Sequence, residues 1–363
     1  MKLNKEFWNK KKVLVTGHTG FKGGWLLTIL NHLGSEVSGY ALNPQGKNNF
    51  FNSTKIKEVL THDVRKNIIN LKDLKKSIKN IKPEIIFHLA AQSSVIESFK
   101  DSNNTVLTNI VGTSNILEVV KNIKSVKCLI IVTTDKVYQN YKLKKYFDEN
   151  SILGGDDIYS GSKACCEILT NSYRKSFFAK NECRIATVRA GNCFGGGDWT
   201  KDRIVKDALE SFYDNKILYV RNPEATRPWQ HVIEPLTGYL LLAEKLFSSN
   251  GYNYCGAWNF GPSLRQNMKV LDLAKIIKSN LNSKSRIVFK KKDKRFNNKK
   301  FKIFESKYLN INSKKAYKKL KWRPELTIKN AVNLTVDWYK YFRNKKDLFD
   351  LTSRQIEQYL NSK

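Results

Sequence analysis

The sequence contains no apolar run that approaches the about 20 residues needed for a membrane-spanning helix. Its first residues are charged and are not followed by an apolar block, so we expect no secretory signal. The six cysteines form no C-x-x-C pair, and we interpret them as reduced thiols in a cytoplasmic protein. No internal repeat or low-complexity linker is present. These absences favour a folded, soluble, cytoplasmic protein.

Acidic residues are also scarce, since 32 Asp and Glu face 65 Lys and Arg, for a net charge of +33. The lysines are spread through the whole chain, and the densest basic run, at 290–295, has few aromatic residues nearby for stacking on bases. We therefore expect a solvated basic face that helps to steer an anionic substrate, with no nucleic acid and no membrane as partner. His18 and His231 lack the spacing of metal ligands, and we expect no metal.

With 363 residues, the chain is long enough for one large or two smaller domains. In its first half, apolar runs of strand length alternate with segments of helical period, which is typical of a parallel sheet covered on both faces. The fold class that this pattern predicts is α/β, a doubly wound, Rossmann-like parallel sheet. We expect strands near 13–16, 36–42, 59–64, 84–91, 127–134 and 184–189, and long helices near 71–81, 103–120 and 157–178.

Beyond about residue 190 the strand signals become shorter, and Trp and Pro residues punctuate the chain. We expect residues 1–190 to form a dinucleotide-binding domain and residues 191–363 to form mainly a smaller C-terminal substrate-binding lobe, partly interleaved with the first domain. The segment at 308–341 is expected to be helical and amphipathic. Ligands of such folds bind at the carboxyl edge of the sheet, which this lobe would cover.

The first strand ends in a glycine-rich turn that contains Gly17, Gly20 and Gly23 and precedes a helical segment. Glycines let backbone N–H groups approach a pyrophosphate, and the N-terminus of a helix offers it partial positive charge. The spacing G-x-x-G-x-x-G differs from the commonest dinucleotide fingerprint. A nucleotide site is therefore favoured over an ordinary tight turn, which remains the alternative.

Tyr159 and Lys163 lie one helical turn apart and share a helix face. An ammonium beside a phenol favours the phenolate, so we expect the pKa of Tyr159 to be lowered toward neutrality. The spacing itself is weak evidence, since Tyr-x-x-x-Lys occurs six times in this chain. Only Tyr159 opens a long helix shortly after a strand that ends in Thr134 and Asp135, so context favours it as a proton acceptor for a sugar hydroxyl.

Together these motifs resemble the extended short-chain dehydrogenase/reductase family. The resemblance rests on the glycine turn, on residues 89–92, on Thr134 and on Tyr159 with Lys163, and it runs from Val13 to about Trp338. Within the family the chain looks like a nucleotide-sugar 4,6-dehydratase, and the blocks at 195–199 and 227–232 favour CDP-glucose as the sugar nucleotide. The resemblance implies NAD as the cofactor, although residues 40–43 carry neither the acid that often holds the ribose in NAD enzymes nor an arginine for a 2′-phosphate.

The resemblance also implies roles for individual residues. Tyr159 would take the proton of the C4 hydroxyl while NAD takes the hydride, with Thr134 holding that hydroxyl and Lys163 holding the ribose. Asp135 would protonate the departing C6 hydroxyl. The residues implied in cofactor binding are Gly17, Thr19, Gly20, Phe21, Gly23, Asp63, Val64, Leu89, Ala90, Ala91, Tyr159 and Lys163. Those implied in substrate binding are Gln92, Asn192, Arg203 and Arg227, and for each arginine a structural ion pair is the alternative.

Lys136 stands where relatives acting on dTDP-glucose have a glutamate as the base for the C5 proton. A lysine can act as this base only if burial or a neighbouring cation depresses its pKa. Dehydratases acting on CDP-glucose share the lysine, which leaves two interpretations open. Lys136 is either the base or a cation that orients the structure or the substrate.

The alternatives to this function are another dehydratase or a 4-epimerase of the family acting on dTDP-, GDP- or UDP-sugars, and a redox-sensing or nucleic-acid-binding protein without catalysis. The resemblance further implies a homodimer, or a dimer of dimers, paired through the long helices that start near 103 and 157. The product would be a precursor of a deoxysugar for a surface polysaccharide such as a lipopolysaccharide O-antigen.

Overall fold

The computed structural model describes residues 2–140, 146–179, 182–263, 267–289 and 308–362. The basic run at 290–295 lies outside these residues.

Within them the strands have the following bounds: β1 (Lys12–Thr16), β2 (Glu36–Ala41), β3 (His62–Arg65), β4 (Ile85–His88), β5 (Cys128–Val132), β6 (Tyr146–Phe147), β7 (Arg184–Ala190), β8 (Cys193–Phe194), β9 (Leu218–Val220), β10 (Thr226–Pro228), β11 (Gln230–His231), β12 (Gly256–Phe260), β13 (Asn267–Lys269), β14 (Ile287–Phe289) and β15 (Asn310–Ile311).

The α-helices are α1 (Lys5–Trp8), α2 (Phe21–His32), α3 (Phe50–Ser53), α4 (Leu71–Ile81), α5 (Val95–Lys100), α6 (Ser102–Val106), α7 (Gly112–Val120), α8 (Ile158–Phe177), α9 (Ile204–Tyr213), α10 (Ile233–Phe247), α11 (Val270–Asn280), α12 (Lys314–Leu320), α13 (Ile328–Arg343) and α14 (Leu348–Asn361).

The main sheet has seven strands in the order β12-β7-β5-β4-β1-β2-β3, and all of its neighbours pair in parallel. The chain runs outward from β1 to β3 and then returns to β4 on the other side of β1. This reversal is the topological switch point at which open α/β sheets bind ligands. The prediction of a doubly wound, Rossmann-like parallel sheet is confirmed.

The central strands are buried on both faces, which explains their unbroken apolar sequences. Val13 and Val15 of β1 belong to the larger of two apolar clusters, whereas Leu14 belongs to the cluster on the opposite face. Helices α2 and α10 contribute to the first cluster, and α4 and α7 contribute to the second. The sheet is therefore a rigid platform whose carboxyl edge carries the loops described below.

The second half of the chain contributes directly to this platform, because β12 pairs with β7. The strands outside the main sheet form two-stranded pairs, β8 with β11, β9 with β14, β10 with β13 and β6 with β15. A division at residue 190 into two interleaved parts stays a prediction.

Three sequence predictions need correction at their boundaries. The expected third strand begins only at His62, after a short 3-10 helix at Ile56–Val59. The expected helix at 103–120 contains a π-helical turn at Leu107–Val111, a feature often found at functional sites. The segment at 308–341 contains β15 before its helices.

Candidate active site

The glycine-rich turn after β1 is shaped by close backbone contacts. Gly17 has a φ of 73°, and a Cβ there would lie 2.6 Å from the amide nitrogen of Ala90. A Cβ on Gly23 would lie 2.4 Å from the Gly17 carbonyl oxygen, whereas one on Gly20 would meet only that oxygen, at 3.4 Å. Gly20 caps α2, whose first residue is Phe21. The turn thus brings the N-terminus of α2 to the switch point, in the arrangement that binds a pyrophosphate.

Thr19, His18 and Asp63 join this turn to the ends of β2 and β3. The Thr19 hydroxyl donates to the Leu42 carbonyl at 3.1 Å, and His18 Nε2 lies 2.9 Å from Asp63 Oδ1. Burial lowers the pKa of His18, so its ring is neutral and donates to Asp63. A Cβ on Gly39 would clash with this ring, which explains a glycine in the middle of β2. The contact fixes Asp63, and with it the neighbouring Val64, next to the glycine turn.

Arg65 was not singled out from the sequence, yet as the last residue of β3 it pairs with Ala41 at the end of β2, where neither an acid nor an arginine was found. Its guanidinium donates to Asp63 Oδ2 at 2.8 Å and to the Leu42 carbonyl at 3.3 Å. Both oxygens of Asp63 therefore have protein partners. The sequence signal that could have identified Arg65 was its position directly after Asp63 and Val64.

The segment that follows β4 lies against the glycine turn. The amide of Leu89 donates to the Thr16 carbonyl, and the amide of Ala90 donates to the Thr16 hydroxyl. Ala91 continues this segment toward Gln92, whose side-chain amide nitrogen donates to Ser94 and Thr105. The amide of Ser94 in turn donates to Gln92 Oε1. Both ends of the Gln92 side chain are thus held locally, and a substrate contact by this residue stays a prediction.

Thr134, Asp135 and Lys136 lie at the carboxyl end of β5, where the strand gives way to a 3-10 turn at Asp135–Val137. Thr134 begins this turn, because its side chain accepts from the amide of Lys136. The Thr134 hydroxyl donates to Asp135 Oδ1 at 3.1 Å, and Thr134 also acts on Tyr159, whose pKa it lowers. The structure therefore brings Thr134, Asp135, Lys136 and Tyr159 together.

Burial moves the pKa values of Asp135 and Lys136 in opposite directions. Desolvation raises the pKa of Asp135, and the opposing charge of Lys136 offsets only part of that effect. Desolvation lowers the pKa of Lys136, and the positive charges of Arg227 and Arg203 add to the shift. A carboxyl that holds its proton more firmly is suited to be a general acid, and an ammonium that loses its proton more easily is suited to be a general base.

The expectation for the pKa of Tyr159 was wrong for this structure. Burial raises that pKa to about 12, although the hydrogen bond to Thr134 and the charge of Arg203 act against the increase. The Lys163 Nζ donates to the Val132 carbonyl at 3.0 Å, and among the described residues no hydrogen bond joins it to the phenol. Desolvation lowers the pKa of Lys163. Sequence spacing placed both residues on one helix face, but the competing carbonyl was visible only in the fold.

The candidate substrate arginines converge on the same centre from the second half of the chain. Arg203 caps α9 at an exposed position, whereas Arg227 in β10 is buried. Both lower the pKa of Lys136 electrostatically. Asn192 precedes β8, and its carbonyl accepts from the Gln230 amide at 3.1 Å, which joins this loop to β11.

Lys22 is a further cation at this centre that sequence reasoning treated only as part of a motif. Its charge lowers the pKa values of Asp135, Lys163 and Cys193, so the glycine turn also delivers a positive charge to the reaction centre.

A buried ion pair supports this centre from behind. Arg189 donates through Nε and Nη2 to the two carboxylate oxygens of Glu167, at 2.9 and 2.8 Å. Thr133 and Thr187 also donate to Glu167, and Arg189 donates to the hydroxyl of Tyr138 at 2.8 Å. Burial alone would raise the pKa of Glu167, but Arg189 and the two threonines hold it below its usual value. The sequence signal for Glu167 was its position four residues after Lys163, which itself follows Tyr159 by four residues, so that all three lie on one face of the helix.

Asn109 was also missed, because its role depends on the π-helical turn. Its side-chain amide donates to the Gln92 carbonyl at 3.1 Å and to the Ser162 hydroxyl at 2.9 Å. It thereby ties the loop after β4 to the helix that carries Tyr159.

In the described part of the chain, His, Cys, Asp and Glu side chains form no group of three that could hold a metal ion. Nor does any helix there combine the length and apolar character of a membrane span.

Comparison with known proteins identifies the relatives of this arrangement. The family described as "GDP-mannose 4,6 dehydratase" matches residues 14–335. A CDP-glucose 4,6-dehydratase from Salmonella typhimurium is 35% identical over 99% of this chain and 99% of its own length.

Solved structures show the same fold. A UDP-glucose 4-epimerase from Thermotoga maritima, solved with UDP-glucose, has a TM-score of 0.77 and 22% identity over 90% of this chain and 98% of its own. A dTDP-glucose 4,6-dehydratase from Bacillus anthracis, solved with NAD, has a TM-score of 0.75 and 21% identity over 93% of this chain and 99% of its own.

Proposed function

The chain belongs to the GDP-mannose 4,6-dehydratase family, and from this premise we propose that it is a hydro-lyase that converts CDP-glucose to CDP-4-keto-6-deoxyglucose. The observation that carries the proposal is the pair of buried Asp135 and half-buried Lys136, whose pKa values are shifted in opposite directions beside Thr134 and Tyr159. An epimerase or a simple dehydrogenase does not require this additional acid and base. The similarity to a CDP-glucose 4,6-dehydratase along the full chain supports the choice of CDP-glucose.

NAD is the cofactor in this proposal, and the site has the features to hold it. The positive φ of Gly17 and the exclusion of a Cβ at Gly17 and Gly23 leave a backbone cradle in front of α2. Gly17, Thr19, Gly20, Phe21 and Gly23 would surround the pyrophosphate. Asp63 and Val64 would face the adenine, residues 89–91 would line the adjoining wall, and Lys163 and Tyr159 would face the ribose. NAD, when bound there, would supply the hydride chemistry that the reaction needs at C4 and C6 of the sugar.

The protein's own residues would move the protons. Tyr159 takes the proton of the C4 hydroxyl, which Thr134 holds, and the positive charge of Arg203 favours the phenolate. The resulting ketone makes the C5 proton acidic, and neutral Lys136 removes it. Asp135 gives its proton to the C6 hydroxyl, which leaves as water, and protonated Lys136 returns its proton to C5. The proton that Tyr159 took from the C4 hydroxyl replaces the one that Asp135 gave up, so the net change is the loss of one water.

Positive charge around the centre suits a substrate that carries a diphosphate. Lys22, Arg203 and Arg227 interact electrostatically with the same centre, on which the carboxyl groups of Asp135 and Asp157 also act. Arginine binds phosphate oxygens in a bidentate manner, so Arg203 and Arg227 are the proposed diphosphate ligands, with Asn192 beside them.

The test is to incubate the purified protein with CDP-, dTDP-, UDP- and GDP-glucose and to measure the absorbance of keto-sugars in alkali. We expect a signal with CDP-glucose alone, and Tyr159→Phe should abolish it. A keto-sugar formed instead from another nucleotide would transfer the proposal to that substrate. Interconversion of hexoses without a keto-sugar would identify an epimerase, and no product from any of them would refute an enzymatic role.

We further propose a homodimer paired through α8 and the helical segment at 102–120. Ile168 and Phe177 of α8 are 55% and 50% exposed, and Val106 in α6 is 39% exposed. Apolar side chains exposed on two neighbouring helices are typical of an interface between subunits.

The six cysteines are free thiols, which supports the proposal of a cytoplasmic protein. We propose that the product serves the synthesis of a deoxysugar for a surface polysaccharide.

A further inference from the structure

Tyr239 is a completely buried tyrosine whose hydroxyl has no role in the packing that surrounds it. The residue lies in α10 with 0% exposure, and its ring meets the Phe260 ring edge-on with 5.4 Å between the centroids. Its hydroxyl has no hydrogen-bond partner among the described residues. An unpaired buried hydroxyl costs free energy that a phenylalanine of the same shape would avoid. The hydroxyl therefore calls for an explanation other than packing.

The surroundings of this hydroxyl belong to the reaction centre. Tyr239 interacts electrostatically with Cys193, Asp135 and Tyr159. Burial raises the pKa of Tyr239 well above its usual value, so the phenol stays protonated and is a hydrogen-bond donor. It is not a candidate for the C5 base.

Two buried oxygens in the same region also lack partners among the described residues. One is Asp135 Oδ2, whereas Asp135 Oδ1 accepts from Thr134. The other is Gln230 Oε1, on a side chain whose amide nitrogen donates to the carbonyl of Phe260, the residue against which Tyr239 packs. Gln230 is also the register partner of Cys193. A single water with two to four polar partners is the usual way in which such groups are satisfied.

We propose that Tyr239 is a positioning residue for Asp135, donating a hydrogen bond through one buried water, shared with Gln230, to Asp135 Oδ2. This rests on the proposed function, in which Asp135 protonates the leaving C6 hydroxyl. When Asp135 gives up that proton, its Oδ2 gains negative charge. The Tyr239 hydroxyl, through the water, stabilises the carboxylate that forms and so makes the proton easier to release.

Other groups also act on Asp135 and set the background for this effect. They are Thr134 and Lys136 beside it, Lys22 from the start of α2, Arg227 from β10, Tyr159 from α8 and Cys193 from β8. None of these changes when the Tyr239 hydroxyl alone is removed.

Tyr239→Phe removes the hydroxyl and keeps the ring against Phe260. We expect the pKa of Asp135 to rise, so the limb of the pH–rate profile that reports Asp135 should move to higher pH by about half a unit or more. The turnover rate should fall roughly three- to tenfold because the weaker acid donates less readily, while KM changes less than about twofold. Since only the step after C4 oxidation is slowed, the reduced-nicotinamide absorbance should build up during a single turnover.

A purely structural role predicts a different result. The melting temperature of Tyr239→Phe should equal or exceed that of the unaltered protein, whereas a structural hydroxyl would lower it. The matched control is Tyr213→Phe, which removes a half-buried hydroxyl that donates to the Val336 carbonyl far from the centre. This control should leave the pH profile and turnover rate unchanged. The proposal would be overturned if the pH–rate profile of Tyr239→Phe is unshifted. It would also be overturned if the melting temperature of this variant is lower and all steps of the reaction are slowed equally.

A measurement that does not depend on turnover separates this inference from the proposed function. Infrared difference titration of the protein and of Tyr239→Phe, with Asp135→Asn used to assign the carboxyl band, reports the pKa of Asp135 directly. We expect a higher pKa in Tyr239→Phe. If the pKa of Asp135 is the same in both proteins, the role of Tyr239 is refuted, even if CDP-glucose is the substrate. If the pKa of Asp135 is higher in Tyr239→Phe, the role is supported, even if the substrate is another sugar nucleotide.

Discussion

A lysine can accept the C5 proton only when it is neutral, and the position of Lys136 makes neutrality accessible. Burial first, and then the charges of Arg227 and Arg203, lower its pKa. The fraction of neutral lysine grows as the pH rises, whereas the fraction of protonated Asp135 falls, so a mechanism that needs both forms gives a bell-shaped pH dependence of activity. The two interpretations left open by the sequence, base or orienting cation, make opposite predictions for one substitution.

Lys136→Arg keeps the positive charge but cannot lose its proton at any ordinary pH. If Lys136 is the base, this substitution should reduce formation of the keto-sugar product by about 10²–10⁴-fold and leave the initial oxidation at C4 intact. The measurement is product formation next to the absorbance of reduced nicotinamide. Retention of near-normal product formation by Lys136→Arg would instead make the residue an orienting cation.

At the scale of single elements, the glycine turn and helix α8 carry the site. Gly17 combines a φ of 73° with a backbone contact that excludes any Cβ, whereas a Cβ on Gly161 in α8 would meet nothing within 4 Å. These two glycines have opposite requirements and allow a matched comparison.

Gly17→Ala should cost about 1–3 kcal/mol of unfolding free energy from backbone strain and should also displace residues 89–90. NAD affinity, measured by calorimetry, should fall about tenfold or more, since 1.4 kcal/mol corresponds to a factor of ten. Gly161→Ala, an ordinary substitution in a helix interior, should instead add roughly 0.5–1 kcal/mol of stability. Equal NAD affinity in the Gly17 variant would show that the turn does not form the pyrophosphate cradle.

The ion pair of Glu167 and Arg189 joins α8 to β7, with only 3% exposure of either side chain. Replacing Arg189 by Met leaves the Glu167 carboxylate buried without its partner, and this should cost about 3–5 kcal/mol in chemical denaturation. The double variant Glu167→Leu with Arg189→Met should recover much of the loss, because no buried charge remains. A double variant as unstable as the single one would mean that hydrogen bonds to Thr133, Thr187 and Tyr138, rather than the uncompensated charge, dominate.

At the scale of the whole molecule, the proposed dimer is the property most open to test. Ile168→Glu places a charge in the centre of the proposed interface, and it should convert a dimer to a monomer in gel filtration coupled to light scattering. Ile152→Glu is the control, since Ile152 is 70% exposed in a loop outside both helices. A chain that is monomeric without any substitution would refute the dimer.

Sequence patterns alone determined the sheet, the glycine turn and the identity of most candidate site residues. Parallel strands buried on both faces must be apolar throughout, so β1, β4, β5 and β7 were recognisable from their composition. A pyrophosphate turn needs glycines at fixed positions before a helix, so Gly17, Gly20 and Gly23 were recognisable as well. Both signals depend only on residues that are close together along the chain, so they can be recognised from the sequence alone.

The tertiary structure alone decided the properties that depend on which distant groups meet. The pKa of Tyr159 was predicted to fall because Lys163 is near in sequence, but burial raises it and the Val132 carbonyl takes the lysine's hydrogen bond. The pKa of Lys136 is depressed by burial and further by arginines from two later elements, and the unpaired hydroxyl of Tyr239 is apparent only once α10 is packed against β5 and β7. Desolvation and charge act through space, so the chemistry of this site was set by folding and not by spacing along the chain.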